Sequence, residues 1–312
     1  MKNKIMVIGD IILDETIQTN VIGLSLETPT LKVSHQESKI NFGGAANVAK
    51  HISKLRKNCL FVSVRGNDQY KKFIDNLKNE YLDIDLIDDE KRINNVKTRI
   101  WVKKGNQNYK YLQINSEIKI DISNTTKAKF LNKIKSNLQS GDISKVVIVD
   151  YRTGLFNKKT IEDIIRECNR LKIKTICSSQ LSSNSESRYS FFKDSNFIVL
   201  NEEEALSFVD NLDHKDIIEN FKTNVCVTLG SEGSVIFTND SIISSKGYKK
   251  VNVIDTCGAG DAFLACFVTG KNLQTIENLK RSNLWAGLST EKLGTEKPEY
   301  NEFLNRLEND FE

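Results

Sequence analysis

Short, wholly apolar runs alternate with amphipathic stretches through the second half of the chain, and this alternation constrains the fold more than any other feature. Val146-Val147-Ile148-Val149 is β-branched and is followed over 157–171 by a helical pattern with Ile161, Ile164, Ile165 and Cys168 on one face. Thr175-Ile176-Cys177 comes next, then a polar Ser/Asn loop, then Phe197-Ile198-Val199-Leu200. Helices are expected over 202–209 and 216–221, a strand over 225–229, and mostly helix from Gly258 onward. Strands that are apolar at every position must be covered on both faces, which predicts an α/β fold with a mostly parallel central sheet and helices on either side. The first half opens likewise with Ile5-Met6-Val7-Ile8. Residues 15–36 and 92–115 depart from the pattern: they read as strands with no crossover helix of their own, and predict a small β-sheet lid. Pro29 and Pro298 are the only prolines, and neither a Gly/Ser-rich linker nor an internal repeat divides the chain. One α/β domain over 1–312 is expected.

Composition narrows the chemistry. Forty-five basic against 41 acidic residues leave a net charge of +4. Pairs such as Lys71-Lys72 and Lys103-Lys104 are scattered rather than gathered into a nucleic-acid footprint. No apolar run approaches the ~20 residues of a membrane span. The six cysteines form no C-x-x-C pair, and the three histidines lack metal-ligand spacing. A reduced, cytoplasmic protein with neither nucleic acid nor membrane as partner is the expectation.

Three segments carry chemistry. Asp255-Thr256-Cys257-Gly258-Ala259-Gly260-Asp261 lies just before a helical pattern. Its two glycines let the backbone turn tightly, so that successive N–H groups can point at one anion beside the positive end of the helix. An aspartate there is held as the anion and can accept the proton of an attacking hydroxyl beside a transferring phosphoryl group. Taken alone, the same residues also suit a plain N-cap after a glycine turn. Asn41-Phe42-Gly43-Gly44-Ala45-Ala46-Asn47 permits close approach of a ligand to backbone, and Asn47 offers a donor and an acceptor to a polyhydroxylated molecule. A glycine turn into an alanine-packed helix is the plainer reading of that segment. Gly9-Asp10 and Asp14 stand at the end of the first strand, where open α/β sheets bind ligands. A dinucleotide fingerprint would require glycine where Phe263 stands, and no G-x-x-x-x-G-K-[ST] occurs.

Together these segments resemble the ribokinase-like (PfkB) carbohydrate kinases over nearly the whole chain. The D-T-x-G-A-G-D signature is unbroken at Asp255–Asp261, and the Gly-Gly-x-x-x-Asn turn is Gly43-Gly44 with Asn47. Asn201-Glu202-Glu203-Glu204 looks like the family's N-x-x-E motif, and Val227-Thr228-Leu229-Gly230-Ser231-Glu232-Gly233 like its nucleotide strand and turn. Within the family the chain is most similar to heptose-7-phosphate kinase domains, through Val7–Asp14, Glu27-Thr28-Pro29, Val149-Asp150-Tyr151 and Lys292-Leu293-Gly294-Thr295. It departs from them at Ser179-Gln180-Leu181-Ser182, at Asn115-Ser116-Glu117 and at Arg65.

The resemblance implies a ribokinase-like fold and an ATP- and Mg²⁺-dependent phosphotransferase acting on a hydroxyl of a sugar or sugar phosphate. Asp261 would be the base, and the amides of Gly258, Ala259 and Gly260 would stabilise the transferring phosphoryl group. Asp10, Asp14, Gly43, Gly44 and Asn47 would hold the sugar; Asn201, Glu204, Thr228, Gly230 and Gly233 would line the nucleotide site, with Glu204 reaching magnesium through water. Lys97, Arg99 and Arg152 are candidates for a substrate phosphate. A nucleoside kinase, with Trp101, Tyr109 and Tyr111 for stacking, and a catalytically silent binding subunit are the alternatives. The lid's exposed edges invite a homodimer.

Overall fold

The computed structural model describes residues 3–105, 107–117, 120–180 and 188–310. The chain runs β1 (Lys4–Gly9), β2 (Ile11–Leu24), β3 (Leu31–Gly43), α1 (Gly44–Lys54), β4 (Cys59–Gly66), α2 (Lys71–Asp75), β5 (Leu82–Asp89), β6 (Asn95–Lys104), β7 (Gln107–Ser116) and α3 (Asn124–Gln139). It continues through β8 (Ile143–Asp150), α4 (Lys158–Arg170), β9 (Lys174–Ser179), β10 (Phe197–Asn201), α5 (Glu202–Leu206), α6 (His214–Phe221) and β11 (Asn224–Thr228). The last elements are β12 (Ser234–Phe237), β13 (Ile242–Ser245), α7 (Ala259–Thr269), α8 (Ile276–Ser289) and α9 (Tyr300–Asp310).

Nine strands form the large sheet in the order β13-β12-β11-β10-β9-β8-β1-β4-β5. From β11 to β5 every neighbouring pair is parallel, and β12 and β13 add an antiparallel end. The apolar runs are buried on both sides, as their composition requires. Along β1, Met6 and Ile8 pack with Phe130 of α3 and Ile161 of α4, while Ile5 and Val7 pack with Ala45 of α1 and Phe263 of α7. Each of the four apolar residues assigned to the α4 face is at most 2% exposed. Among the described residues no helix is long and apolar enough to cross a membrane.

The two exceptional stretches do form a separate sheet, ordered β3-β2-β6-β7. It is longer than the sequence suggests, because β2 and β3 stay paired from Ile12–Gly43 out to Leu24–Leu31 and so deliver the chain directly into α1. The helix expected over 202–209 is shorter and ends at Leu206. Leu181 and Ser182 of the divergent segment, with most of the Ser/Asn loop, lie outside the described residues.

Candidate active site

β1 has β4 on one side and β8 on the other, so the strand order reverses at the carboxyl ends of β1 and β8. A crevice forms where crossovers leave such a point in opposite directions. It opens here into a cavity of about 250 Å³, lined by Asp14 on the smaller sheet, by Asp150 and Tyr151 at the end of β8, and by Asn201 and Thr228 beyond.

The glycine turn is held from below. Asp255 is buried and its carboxylate accepts hydrogen bonds from Cys257 N (3.1 Å) and Gly294 N (3.0 Å), tying the turn to the segment after α8. Gly258 then takes φ +77°, and a Cβ there would lie 2.9 Å from Asn47 Nδ2 and 3.2 Å from Thr295 Cγ2. Of the three amides expected to face an anion, that of Ala259 already donates to Thr256 O at 3.2 Å, whereas Gly260 has open space where a side chain would stand. Asp261 follows in the first turn of α7 and lines the cavity. Its two carboxylate oxygens accept from Asn47 Nδ2 at 2.8 Å and from the Tyr151 hydroxyl at 2.7 Å. Burial pushes the Asp261 carboxyl above its ordinary value; the two hydrogen bonds and the ammonium groups of Lys297 and Lys97 oppose that shift. A carboxylate held by two donors is fixed in orientation, and its burial makes it a better proton acceptor than an exposed aspartate.

The glycines and aspartates near the first strand fall into two groups. Gly43, Gly44 and Asp14 line the cavity, and Asp14 is ion-paired with the Arg99 guanidinium across the β2–β6 pair. Gly44 takes φ +62°, with the Asp10 carbonyl 2.7 Å from where a Cβ would be. Asp10 itself is buried and does not line the cavity. Its carboxylate accepts from Tyr151 N at 2.8 Å and from the Thr153 hydroxyl, with Arg92 4.0 Å away. Burial, followed by Asp150, pushes it up to about 6. Its task is to hold the backbone that presents Tyr151. Asn47 is likewise fully buried and serves Asp261 rather than the open cavity.

On the far side, Asn201 and Glu204 form a capping box at the start of α5: Asn201 Oδ1 accepts from Glu204 N at 2.8 Å and Glu204 Oε2 from Asn201 N at 2.9 Å. Both residues and Thr228 line the cavity. Burial pushes the Glu204 carboxyl up to about 7. Gly230 and Gly233 lie outside the lining. Gly233, at φ +107°, is packed so that a Cβ would meet Ser245 O at 2.1 Å, and its role is to seat the turn on β13. Among the described residues no group of three His, Cys, Asp or Glu side chains is placed to hold a metal ion.

Three residues of the site receive no role from the sequence: Tyr151 and Thr295, which enter only as part of the heptose-kinase resemblance, and Lys297, which lies outside it. Tyr151 could have been found by the strand-end rule that singled out Asp14, since it directly follows β8. Thr295 ends the Lys292-Leu293-Gly294-Thr295 segment of the resemblance and Lys297 lies beyond it; both arrive from the chain's last loop, which the Asp255–Gly294 bond ties to the glycine turn. Lys297 Nζ donates to Thr295 O at 2.6 Å, and burial, then Lys50, push its ammonium down to about 7. Lys97 and Arg99 line the cavity, Lys97 3.2 Å from Glu117, while Arg152 is buried behind it with Nε 3.4 Å from Ser179 Oγ.

Three helices start at this cavity: α5 carries its capping box, whereas α1 and α7 begin on Gly43 and Gly258 with no side-chain cap. Helix starts left open onto a cleft suit an anionic ligand. The sequence matches the profile of the pfkB family carbohydrate kinases over residues 2–301. The chain belongs to the pfkB family. It is accordingly a carbohydrate kinase, a phosphotransferase with a hydroxyl acceptor. Among curated relatives it is 28% identical over 315 residues to the bifunctional protein HldE of Campylobacter curvus and 27% identical over 311 residues to that of Aliarcobacter butzleri. These alignments take in 96% and 94% of this chain but only 64% and 62% of those proteins, so the chain spans less than two thirds of their length. The pfkB fold extends to solved structures. Phosphofructokinase-2 from Escherichia coli in complex with potassium superposes with a TM-score of 0.76 at 15% identity, covering 99% of both chains. The Arabidopsis thaliana ribokinase complexed with ribose and ATP gives 0.66 at 18% identity, covering 98% of this chain and 99% of that one.

Proposed function

We propose that this carbohydrate kinase uses ATP to phosphorylate the anomeric hydroxyl of a phosphorylated sugar, with a heptose 7-phosphate as the preferred acceptor. The observation that carries the reading is Asp261: a half-buried carboxylate at an open helix start, steered by Asn47 and Tyr151, beside a cavity with sugar-sized room. The similarity to HldE proteins supports the heptose, and the ribokinase solved with ATP supports the nucleotide.

In this reading Asp261 takes the proton of the acceptor hydroxyl. Gly258 and Gly260 turn their amides toward the charge that develops on the transferred group. Asp14, Gly43 and Gly44 grip the sugar, with Asn47 and Asp10 acting one step behind through Asp261 and Tyr151. Thr228 borders the nucleotide side, and Gly230 and Gly233 shape the turn beyond it. The residues fit a magnesium ion that keeps most of its ligands as water and phosphate: Glu204, raised to about 7 by burial, is a carboxyl that a nearby cation would return to its ionised form. Magnesium–ATP supplies the phosphoryl group and screens its charge. Lys97 is the candidate for the substrate's own phosphate: its partner Glu117, at 3.2 Å, does not line the cavity, whereas Arg99 is committed to Asp14, which does. The smaller sheet closes over one kinase domain as a lid and keeps water from the phosphoryl group. Its outer strand β7, exposed at all ten positions, is where a second copy would pair.

ADP release measured against heptose, hexose and pentose phosphates, free sugars and nucleosides tests this directly. A phosphorylated sugar should turn over fastest, with phosphorus NMR placing the new phosphate on the anomeric carbon. Phosphate added to a primary hydroxyl, or preference for a nucleoside, would reject the acceptor assignment.

A further inference from the structure

The last loop brings to the reacting end of the cavity a hydroxyl to which the sequence resemblance, though it includes Lys292-Leu293-Gly294-Thr295, assigns no role. Thr295 is 3% exposed and lines the cavity together with Gly258, Gly260 and Asp261. Its Cγ2 and Cβ lie 3.2 and 3.8 Å from the position a Gly258 side chain would take, so it stands directly against the start of α7. Its Oγ1 is buried and has no hydrogen-bond partner among the described residues.

Leaving a buried hydroxyl unpaired is unfavourable, and a valine of the same shape would avoid it. The position is nevertheless strongly determined. Gly294 takes φ +64°, with Thr16 Oγ1 3.0 Å from where a Cβ would be, and its amide donates to Asp255 at 3.0 Å. Lys297 Nζ donates to the Thr295 carbonyl at 2.6 Å. Backbone on one side and an ammonium on the other therefore lock a threonine whose side chain has nothing to bond. What adjoins it is an uncapped helix N-terminus of eleven residues, a site whose free N–H groups call for an acceptor. A hydroxyl donates as an N–H does, and beside such amides it adds a donor at the same point.

We infer that Thr295 is a further binding residue of the phosphoryl site, its Oγ1 donating to an oxygen of the group in transfer alongside the amides of the Gly258–Gly260 turn. The inference rests on the kinase reading and assigns one contact within it. Removing a single such donor from a dry site typically costs about 10²-fold or more in rate.

The variants are Thr295→Val, which keeps the volume and removes the donor, and Thr295→Ser, which keeps the donor. Two readouts are used: sugar-dependent ADP release, and the rise in Tm produced by ADP with aluminium fluoride, a mimic of the transferring group that needs no knowledge of the sugar. Thr295→Val should lose about 10²-fold in turnover and most of the aluminium fluoride response, while its unliganded Tm stays level or rises because an unpaired hydroxyl has gone. Thr295→Ser should keep both functions near wild type. Wild-type turnover and fluoride response in the valine variant would overturn the inference and leave the kinase standing, the hydroxyl then serving no more than a trapped water. A fall in unliganded Tm that accounts for the lost turnover would overturn it too. Absence of any ADP–aluminium fluoride response in wild type, with no sugar-dependent turnover, would overturn the kinase reading and this contact with it.

Discussion

In the proposed mechanism Asp261 must be both anionic and basic, and its neighbours set the balance. Burial makes it a better proton acceptor, and the hydrogen bond from Tyr151 moderates that. Tyr151→Phe removes a donor to a charged group, an interaction worth about 1.5–3 kcal/mol, or roughly one to two pH units. The acid limb of the pH–kcat profile should therefore move upward by about one unit or more; a profile superimposable on wild type would contradict the assignment. Lys297 makes a separate prediction about stability. Its ammonium is lowered from the ordinary 10.5 to about 7, chiefly by burial. Between those values the unfolded chain holds a proton that the folded chain has released, so stability rises with pH across that window, and below about 7 the burial penalty is present in full. Calorimetry should show the Tm of wild type gaining on that of Lys297→Met between pH 7 and pH 9.5. A constant difference would mean that the ammonium is not buried as described.

At the scale of elements, the site is made by junctions. The β3–α1 junction turns on Gly44, whose φ of +62° and 2.7 Å approach to the Asp10 carbonyl exclude a side chain. Gly44→Ala should cost about 1–3 kcal/mol, the usual size of backbone strain in that region, and should lower kcat further by displacing Asn47 and hence Asp261. Retention of wild-type Tm in urea or heat titrations would show the junction to be more pliant than this. The junctions also explain what could be read in advance. The strands β1, β8 and β10 and the helix α4 were legible because their composition already demands burial on two faces or one. Asp261, Asp14 and the paired glycines were legible because few other residues satisfy their backbone or charge requirements. The surroundings of Asp10 were not legible, because a strand-end aspartate looks the same whether it faces a ligand or a neighbouring turn; only the fold brings Tyr151 N and Thr153 within its reach. The end of α5 was overestimated because the capping box that starts it is local, whereas its termination at Leu206 is not signalled by glycine or proline. Thr295 and Lys297 reach the site by a contact between positions 39 apart, Asp255 and Gly294, which no local pattern records.

Across the whole molecule, the two sheets divide the work. The large sheet fixes a crevice at its switch point and aims two open helix starts into it. The smaller sheet runs directly into the start of α1 through β3, and Asp14, Lys97 and Arg99 on its strands β2 and β6 line the cavity. The proposed mechanism makes proton removal by one carboxylate its central step. The most direct measurement is sugar-dependent ADP release by wild type and by Asp261→Asn, side by side with the preferred acceptor. The asparagine keeps the shape and one hydrogen-bonding oxygen but cannot take a proton. Turnover should fall by ~10²–10⁴ with KM changed little, the size of a general-base contribution. Near-normal turnover in the asparagine variant would contradict the central claim.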